Sequence, residues 1–225
     1  MQPRIVLFDL DGTVVTYQGP PPGPGRTALD RAMRDDYGLE GTTDGLRVAG
    51  ATDRALVRAL LLRAGVYDDE KAIDRLLVRY LAHLGEVVQT RSYRPVGPVD
   101  SAVRQLREKG IVVGIATGNV REGARIKLTS AGLGATFDFG LGGFGCDAEP
   151  RADIVRLAAD RCGRNRPDEV VVVGDTDRDV LAGRAIGARV IGVALDARAR
   201  AELEAAGADA IVDACGNALV DRILS

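Results

Sequence analysis

The sequence predicts an α/β fold, in which a doubly wound parallel-sheet core carries an inserted all-helical domain. Two features of the 225 residues support this prediction. Short, nearly continuous apolar runs recur along the chain, and segments with helical spacing lie between them. Strands that are buried on both faces and alternate with helices are typical of a parallel sheet with helices on both sides. Between the first two runs the long intervening segment is helical only, which indicates an insertion.

The core is predicted to have four strands and four helices. Each helix stops near a glycine, because glycine readily adopts the left-handed conformation just past the last helical turn. The strands are predicted at residues 4–9, 111–116, 170–174 and 189–194. The helices are predicted at residues 99–109, 120–131, 153–162 and 179–186.

The insertion follows the first strand and begins with a loop rich in glycine and proline, GPPPGPGR at residues 19–26. Helical spacing then continues without a convincing buried strand, until two prolines interrupt it where the chain returns to the sheet. We expect residues 17–92 to form this helical domain, and residues 1–16 plus 93–225 to form the core. The helices of the insertion are predicted at residues 28–37, 52–64 and 69–85.

Composition and charge exclude several kinds of partner. The formal net charge is −2, so the chain lacks the positive excess that binds nucleic acid or an anionic membrane. No stretch approaches the roughly 20 apolar residues that span a bilayer. The N-terminal apolar run contains two aspartates, unlike a signal peptide, and the three cysteines show no C-x-x-C spacing. We therefore expect a cytoplasmic protein, either a monomer or a homodimer.

Acidic and hydroxyl side chains follow three of the predicted strands. Ligands of parallel α/β sheets bind at the carboxyl ends of the strands, so these residues are the first candidates for a site. Four or five carboxylates would meet there, and like charges at close range raise each other's pKa or require a cation. A hard metal ion such as Mg²⁺ suits oxygen ligands of this kind. The three segments are DLDGT at 9–13, TGN at 117–119 and GDTDRD at 174–179.

Taken together, D-x-D-G-T, Thr and G-D-T-x-x-D in this order resemble the motifs of the haloacid dehalogenase superfamily. The resemblance covers the whole chain and is to the branch with a helical cap, which includes phosphoglycolate phosphatases and β-phosphoglucomutases. It implies a phosphatase that uses Mg²⁺ as its cofactor. The implied substrate is a small-molecule phosphate ester, either phosphoglycolate-like or a sugar phosphate.

The resemblance also implies roles for four aspartates. Asp9 would attack phosphorus and form a covalent aspartyl-phosphate. Asp11 would protonate the leaving alkoxide and later accept a proton from water. True dehalogenases lack this second acid, so Asp11 favours phosphate-ester chemistry over carbon–halogen cleavage. Asp175 would bind Mg²⁺ together with the Asp9 carboxylate and the Asp11 main-chain carbonyl, and Asp179 would hold a metal-bound water or the basic residue of the site.

Further residues are implied to bind the phosphate. Thr117 would donate a hydrogen bond to a phosphoryl oxygen, and the backbone amides of Gly118 and Asn119 would point to the same anion from a helix start. Thr117 is also a good residue to cap that helix. The basic residue of the family is usually a lysine at the start of a later helix. Arg151 stands at that place, with Lys127 as the alternative, and a guanidinium can pair with phosphate or carboxylate.

Two residues of the insertion are candidates for substrate binding. The segment GATD at 50–53 resembles an element at a cap-helix start in phosphoglycolate-phosphatase-like proteins, and its Thr52 and Asp53 are equally suited to be plain helix caps. Arg26 follows the glycine-rich loop and is a candidate for contact with an anionic substrate.

Two alternative functions remain open at this point. One is a phosphomutase of the β-phosphoglucomutase type, which would use the same core motifs. The other is a non-catalytic regulator that has kept the fold, since a fold alone does not prove a function. The complete set of motif aspartates argues against the regulator.

Overall fold

The computed structural model describes residues 3–67, 69–164 and 166–225. Eight strands occur in this part of the chain: β1 (Ile5–Phe8), β2 (Val15–Thr16), β3 (Arg94–Pro95), β4 (Val112–Ala116), β5 (Gly142–Gly143), β6 (Val170–Gly174), β7 (Arg189–Val193) and β8 (Ala210–Val212). Strands β2 and β3 form a separate antiparallel pair. The other six form one parallel sheet in the order β5-β4-β1-β6-β7-β8.

Nine α-helices accompany these strands in the same described ranges. They are α1 (Pro24–Tyr37), α2 (Asp53–Arg63), α3 (Glu70–Val87), α4 (Val99–Glu108), α5 (Arg121–Ser130), α6 (Arg151–Arg161), α7 (Asp177–Ala185), α8 (Ala197–Ala206) and α9 (Asn217–Leu224). Across the residues that the structure describes, none of the helices has the length and apolar character needed to traverse a bilayer.

The side chains of β1 show that the sheet is covered on both faces. Val6 and Phe8 belong to one apolar cluster, and Ile5 and Leu7 belong to another, as alternation along a strand requires. Helices α4, α5 and α9 contribute to the first cluster, whereas α6, α7 and α8 contribute to the second. The predicted doubly wound α/β fold is therefore confirmed.

The four predicted strands correspond to β1, β4, β6 and β7, and the sheet has two further strands. Strand β5 is a pair of glycines and β8 has three residues, so neither contains the apolar run on which the prediction relied. Helices α8 and α9 are also absent from the prediction. Leu203 is the one buried residue of α8, so that helix has no apolar stripe to detect.

Helices α1, α2 and α3, with their connecting loops, form what we call the insert, residues 17–92. Helix α1 starts at Pro24, ahead of the predicted start, because the fixed φ of proline suits a first helical turn. Val15 of β2 pairs with Pro95 of β3, so the chain leaves the core and returns to it side by side. Buried residues of α1, α2 and α3 belong to the same apolar cluster as Phe8 of β1. The apolar core of the insert is therefore continuous with the core on one face of the sheet.

Candidate active site

Three adjacent strands bring the predicted site residues together. Asp9 follows β1, Thr117 follows β4 and Asp175 follows β6, and these strands are neighbours in the sheet. Gly12 lets the loop after β1 turn back beside Asp175. Its φ is +80°, and a Cβ there would lie 2.0 Å from Asp175 Oδ2, so only glycine suits this position.

Asp9, Asp175 and Asp179 form a carboxylate cluster at this edge. Each offers one oxygen, and these oxygens all lie within 4.8 Å of one another. Burial raises the pKa of Asp9 to about 6, opposed by the charge of Arg151 and reinforced by those of Asp179 and Asp11. Burial, followed by the charges of Asp9 and Asp179, also raises the pKa of Asp175 well above its usual range. The cluster therefore favours any partner that brings positive charge.

Arg151, the first residue of α6, supplies positive charge from the chain itself. Its Nη2 lies 2.5 Å from Asp9 Oδ1 and 2.6 Å from Asp179 Oδ1. Burial opposes the charge of Arg151, but Asp9 and Asp179 outweigh it and keep its pKa well above the usual range. Of the two candidates for the basic residue, Arg151 is thus the one that contacts Asp9.

The cluster fits a divalent cation. Three carboxylates set against one guanidinium leave a deficit of two positive charges, which is the charge of Mg²⁺, and all three acids offer the oxygen ligands that Mg²⁺ prefers. The side chain of Asp11 lies outside this set, so a role for Asp11 in metal binding would fall to its main-chain carbonyl.

Asp179 is held firmly in place at the start of α7. Its Oδ2 accepts hydrogen bonds from the Thr176 N–H at 3.1 Å and from the Thr176 hydroxyl at 2.7 Å. Its Oδ1 accepts from Nε of Arg151 at 3.1 Å. A Cβ on Gly174 would lie 2.3 Å from Asp179 Cβ, so the glycine allows α7 to begin this close to β6. Asp179 therefore contacts Arg151, the candidate basic residue, and its expected role in the site stays a prediction.

A second group of polar side chains surrounds Asp11. Lys127 Nζ donates to Asp11 Oδ2 and to Asn119 Oδ1, both at 2.6 Å. Asn119 Nδ2 donates to Asp11 Oδ2 at 2.8 Å and to Thr117 Oγ1 at 2.9 Å. Burial opposes the charge of Lys127, but the Asp11 carboxylate and nearby tyrosines outweigh it, so the pKa of Lys127 lies well above its usual range. The two cations thus contact different aspartates: Arg151 contacts Asp9, and Lys127 contacts Asp11.

The predicted phosphate-binding amides after β4 are partly engaged within the protein. The Asn119 N–H donates to Thr117 Oγ1 at 3.3 Å. The next N–H, that of Val120 at the start of α5, donates to Asp53 Oδ2 at 2.8 Å. A carboxylate of the insert therefore already occupies the helix N-terminus, a position where the helix dipole favours an anion.

Asp53, the first residue of α2, is the residue that the sequence reasoning missed. Besides its side-chain contact to Val120, its N–H donates to the Gly118 carbonyl at 2.9 Å. Burial raises the pKa of Asp53 to about 6, and the charge of Lys127 opposes this rise. The signal in the sequence was the GATD segment, but its threonine was the candidate for substrate binding and its aspartate was considered only as a helix cap. Asp53 joins the insert to the core.

The other two predicted residues of the insert have structural roles. Thr52 Oγ1 accepts from the Ala55 N–H at 3.2 Å and caps α2, which is the alternative that the sequence left open. Arg26 donates from Nη1 to the Thr43 carbonyl at 2.7 Å and from Nη2 to the Leu46 carbonyl at 2.8 Å. Its guanidinium holds a loop of the insert, although the residue also lines the cavity described next. Substrate contacts of Thr52 and Arg26 stay predictions.

A cavity of about 320 Å³ lies between this edge of the sheet and the insert. A volume near the lower end of the range for ligand pockets suits a small molecule. The core contributes polar groups and the insert side contributes mainly apolar and aromatic ones. Residues that line the cavity include Asp9, Asp11, Thr117, Gly118, Asn119, Lys127, Arg151 and Asp175 on one side, and Tyr17, Leu29, Leu56 and Tyr80 on the other.

Comparisons with known proteins agree with this arrangement. The family model described as haloacid dehalogenase-like hydrolase matches residues 3–187. A phosphoglycolate phosphatase of Xanthomonas campestris pv. campestris (strain 8004) is 31% identical over 188 residues, which cover 82% of this chain and 80% of that protein. A hydrolase structure from Pseudomonas syringae has a TM-score of 0.73 at 22% identity, covering 100% of both chains. A putative β-phosphoglucomutase from Bacteroides vulgatus has a TM-score of 0.72 at 17% identity, covering 100% of this chain and 91% of that one.

The chain therefore belongs to the haloacid dehalogenase-like hydrolase family. The predicted family and the predicted class of enzyme, a phosphatase, are both confirmed. At such low identity the two solved structures show the shared fold alone.

A divalent cation should stabilise the protein through the carboxylate cluster. Mg²⁺ at about 100 times its dissociation constant should add about 2.7 kcal/mol of stability, or roughly 5–10 °C in melting temperature for a domain of this size. Asp175→Asn should remove this shift. It should also raise the melting temperature in chelator at neutral pH, because it removes a buried carboxylate whose pKa is raised. Asp177→Asn, two residues further along the chain at the start of α7, should keep the shift, and loss of the shift in both variants would contradict the assignment.

Asp53 should make stability depend on pH in a predictable direction. Its pKa rises from 3.8 to about 6 on folding, so it contributes stability that is fully present below the lower value and lost as the pH rises through the upper one. The asparagine of Asp53→Asn does not titrate, so the stability of this variant does not fall with pH for this reason. The unfolding free energy of Asp53→Asn relative to the parent should therefore rise by about 1.4 kcal/mol between about pH 5 and about pH 7.5.

Urea unfolding at the two pH values measures this difference, because the other titrating groups are common to both proteins. Asp221→Asn, at an exposed position on α9, is the matched control. A difference for Asp53→Asn that is constant with pH, or that falls as the pH rises, would contradict the assignment of Asp53 as a buried carboxylate.

Proposed function

We propose that the protein is a Mg²⁺-dependent phosphatase that hydrolyses a small phosphate monoester through an aspartyl-phosphate on Asp9. One observation carries the proposal. The Asp9 carboxylate is buried, is held by Arg151 at 2.5 Å, and lines a cavity that Asp11 also lines. A nucleophile, a cation and a second carboxyl group therefore meet around one space of suitable size.

In the first step an oxygen of the Asp9 carboxylate attacks phosphorus. The bond from phosphorus to the ester oxygen breaks as the bond to Asp9 forms, and Asp11 gives a proton to the departing oxygen, which leaves as an alcohol. Arg151 offsets negative charge on Asp9 and on the phosphoryl group as they approach each other. Thr117 Oγ lies on the same edge and is proposed to donate to a phosphoryl oxygen.

In the second step water attacks phosphorus of the aspartyl-phosphate. Asp11, now ionised, accepts a proton from this water, and the bond between phosphorus and the Asp9 oxygen breaks. Inorganic phosphate leaves, and both aspartates return to their starting states. Asp11 thus acts as an acid and then as a base, and the carboxyl group needs access to the cavity in both steps. Its side chain is about 45% exposed, which agrees with that requirement.

The proposed ligands of Mg²⁺ are Asp9, Asp175 and the Asp11 main-chain carbonyl, with Asp179 nearby to orient Arg151. When bound, Mg²⁺ would neutralise the acids and the phosphoryl oxygens, so that the anionic ester can approach the anionic nucleophile. The excess of carboxylate over guanidinium charge in the cluster supports this role.

The insert, residues 17–92, is proposed to act as the cap that closes over the substrate. Asp53 bonds to Gly118 and Val120 of the core, and Arg47 pairs with Asp177 at 2.8 Å, and these contacts hold the insert over the site. Closure of this kind excludes water from the reaction. The expected cytoplasmic location and the monomeric or homodimeric state remain part of the proposal.

A phosphoglycolate-like ester is the proposed substrate class, because the relative from Xanthomonas campestris is named a phosphoglycolate phosphatase. The cavity also has room for a small sugar phosphate. A mutase of the β-phosphoglucomutase type has only the likeness of fold in its support. A non-catalytic regulator would not need the complete acid set.

The test is release of phosphate from a panel that includes phosphoglycolate and sugar phosphates, with Mg²⁺ and with chelator. The parent should release phosphate only with Mg²⁺. Asp9→Asn should lower kcat by at least about 10³-fold, because the amide cannot replace the nucleophile. The matched control Asp221→Asn makes the same chemical change at an exposed position on α9 and should stay within a few-fold of the parent.

Each other outcome has a distinct meaning. Release by Asp9→Asn at the rate of the parent would exclude the covalent route through Asp9. Isomerisation of a sugar phosphate without net release would favour the mutase. No turnover of any ester by a folded, Mg²⁺-binding protein would favour the regulator.

A further inference from the structure

Lys127 is a buried cation that the proposed mechanism leaves without a role. It lies on α5 with about 5% of its surface exposed, and it lines the cavity. Arg151 already occupies the place of the basic residue beside Asp9. A second buried cation is costly to keep charged unless a specific partner needs it. The carboxylate that Lys127 contacts is that of Asp11.

The contacts on Asp11 are unequal between its two oxygens. Lys127 Nζ at 2.6 Å and Asn119 Nδ2 at 2.8 Å both donate to Oδ2. Within the described residues, no hydrogen bond reaches Oδ1 of Asp11, although the side chain lines the cavity. The protein therefore fixes one oxygen and leaves the other without a protein donor.

The donors of Oδ2 are themselves fixed. Lys127 Nζ also donates to Asn119 Oδ1 at 2.6 Å, and Asn119 Nδ2 also donates to Thr117 Oγ1 at 2.9 Å. The Tyr93 ring lies 5.6 Å from Nζ, in the range for a cation–π contact. Lys127 and Asn119 are thus held by each other and by their neighbours. A carboxyl group that accepts hydrogen bonds from two such fixed donors has little freedom to rotate.

We propose that Lys127 is a positioning residue for Asp11. Together with Asn119 it holds Oδ2, so that Oδ1 is the oxygen that exchanges the proton with the leaving group and then with water. This inference rests on the proposed phosphatase function, because it assigns a role within that reaction. Two donors fixed on one oxygen are a way to keep an acid within the short distance that proton transfer requires.

The inference predicts that loss of Lys127 harms esters with poor leaving groups selectively. An alkyl phosphate leaves as a strongly basic alkoxide and needs the proton, whereas p-nitrophenyl phosphate leaves as a stable phenolate and needs it little. Lys127→Met should lower kcat/KM for the alkyl ester by about 10²-fold, the low end of general acid catalysis. For p-nitrophenyl phosphate the loss should be only a few-fold. Lys109→Met, at an exposed lysine, is the matched control for both esters.

A double-mutant cycle with Asp11→Asn shows whether Lys127 acts through Asp11. In the Asp11→Asn background, Lys127→Met should have little further effect on the alkyl ester, because the group that it positions is gone. If the Lys127→Met protein does not fold, Asn119→Ala removes the other donor to Oδ2 and should give the same selective loss.

Three results would overturn the inference. A folded Lys127→Met protein that loses both esters equally would make Lys127 a general structural residue. Losses that multiply fully in the double variant would show that Lys127 acts apart from Asp11. A parent that releases phosphate from neither ester with Mg²⁺ would instead remove the proposed function and this inference with it.

Discussion

The crowding of three carboxylates at one edge of the sheet constrains the rest of the site. Asp9, Asp175 and Asp179 bring oxygens within 4.8 Å of one another, and Asp9 and Asp179 are buried, so like charges are tolerated there only with compensating positive charge. The chain supplies one guanidinium, from Arg151. The positive charge that is still missing suits a divalent cation. A hard metal ion and the fixed arginine would together offset the three carboxylates, so that an anionic substrate can approach them.

The second group of polar contacts connects the chemistry to the insert. Asp53 of the insert bonds to Gly118 and to Val120, and these two residues flank Asn119, which donates to Asp11. Packing of the insert on the core and placement of Asp11 therefore involve the same three-residue segment after β4. Under the proposed function, a substrate that holds the insert closed would also help to hold Asp11 in position.

The sequence was sufficient to predict the parallel sheet and the carboxylates at its edge. Both follow from local patterns, because a buried strand is a short apolar run and the site residues come directly after it. The prediction missed β5, whose two glycines form a strand only because β4 lies beside them. The contacts of Asp53 and Lys127 could not be predicted either. Their partners, Val120 and Asp11, lie far away in sequence, and only the packing of the insert and of α5 against the core brings them together.

The central claim is that Asp9 becomes phosphorylated, and chemical trapping of that intermediate tests it most directly. The enzyme is mixed with Mg²⁺ and its preferred ester, quenched rapidly and treated with borohydride, which reduces an acyl phosphate to an alcohol. Peptide mass spectrometry should then find homoserine in place of aspartate at position 9, and only after exposure to substrate. Reduction at another aspartate, or at none while phosphate is being released, would contradict the account.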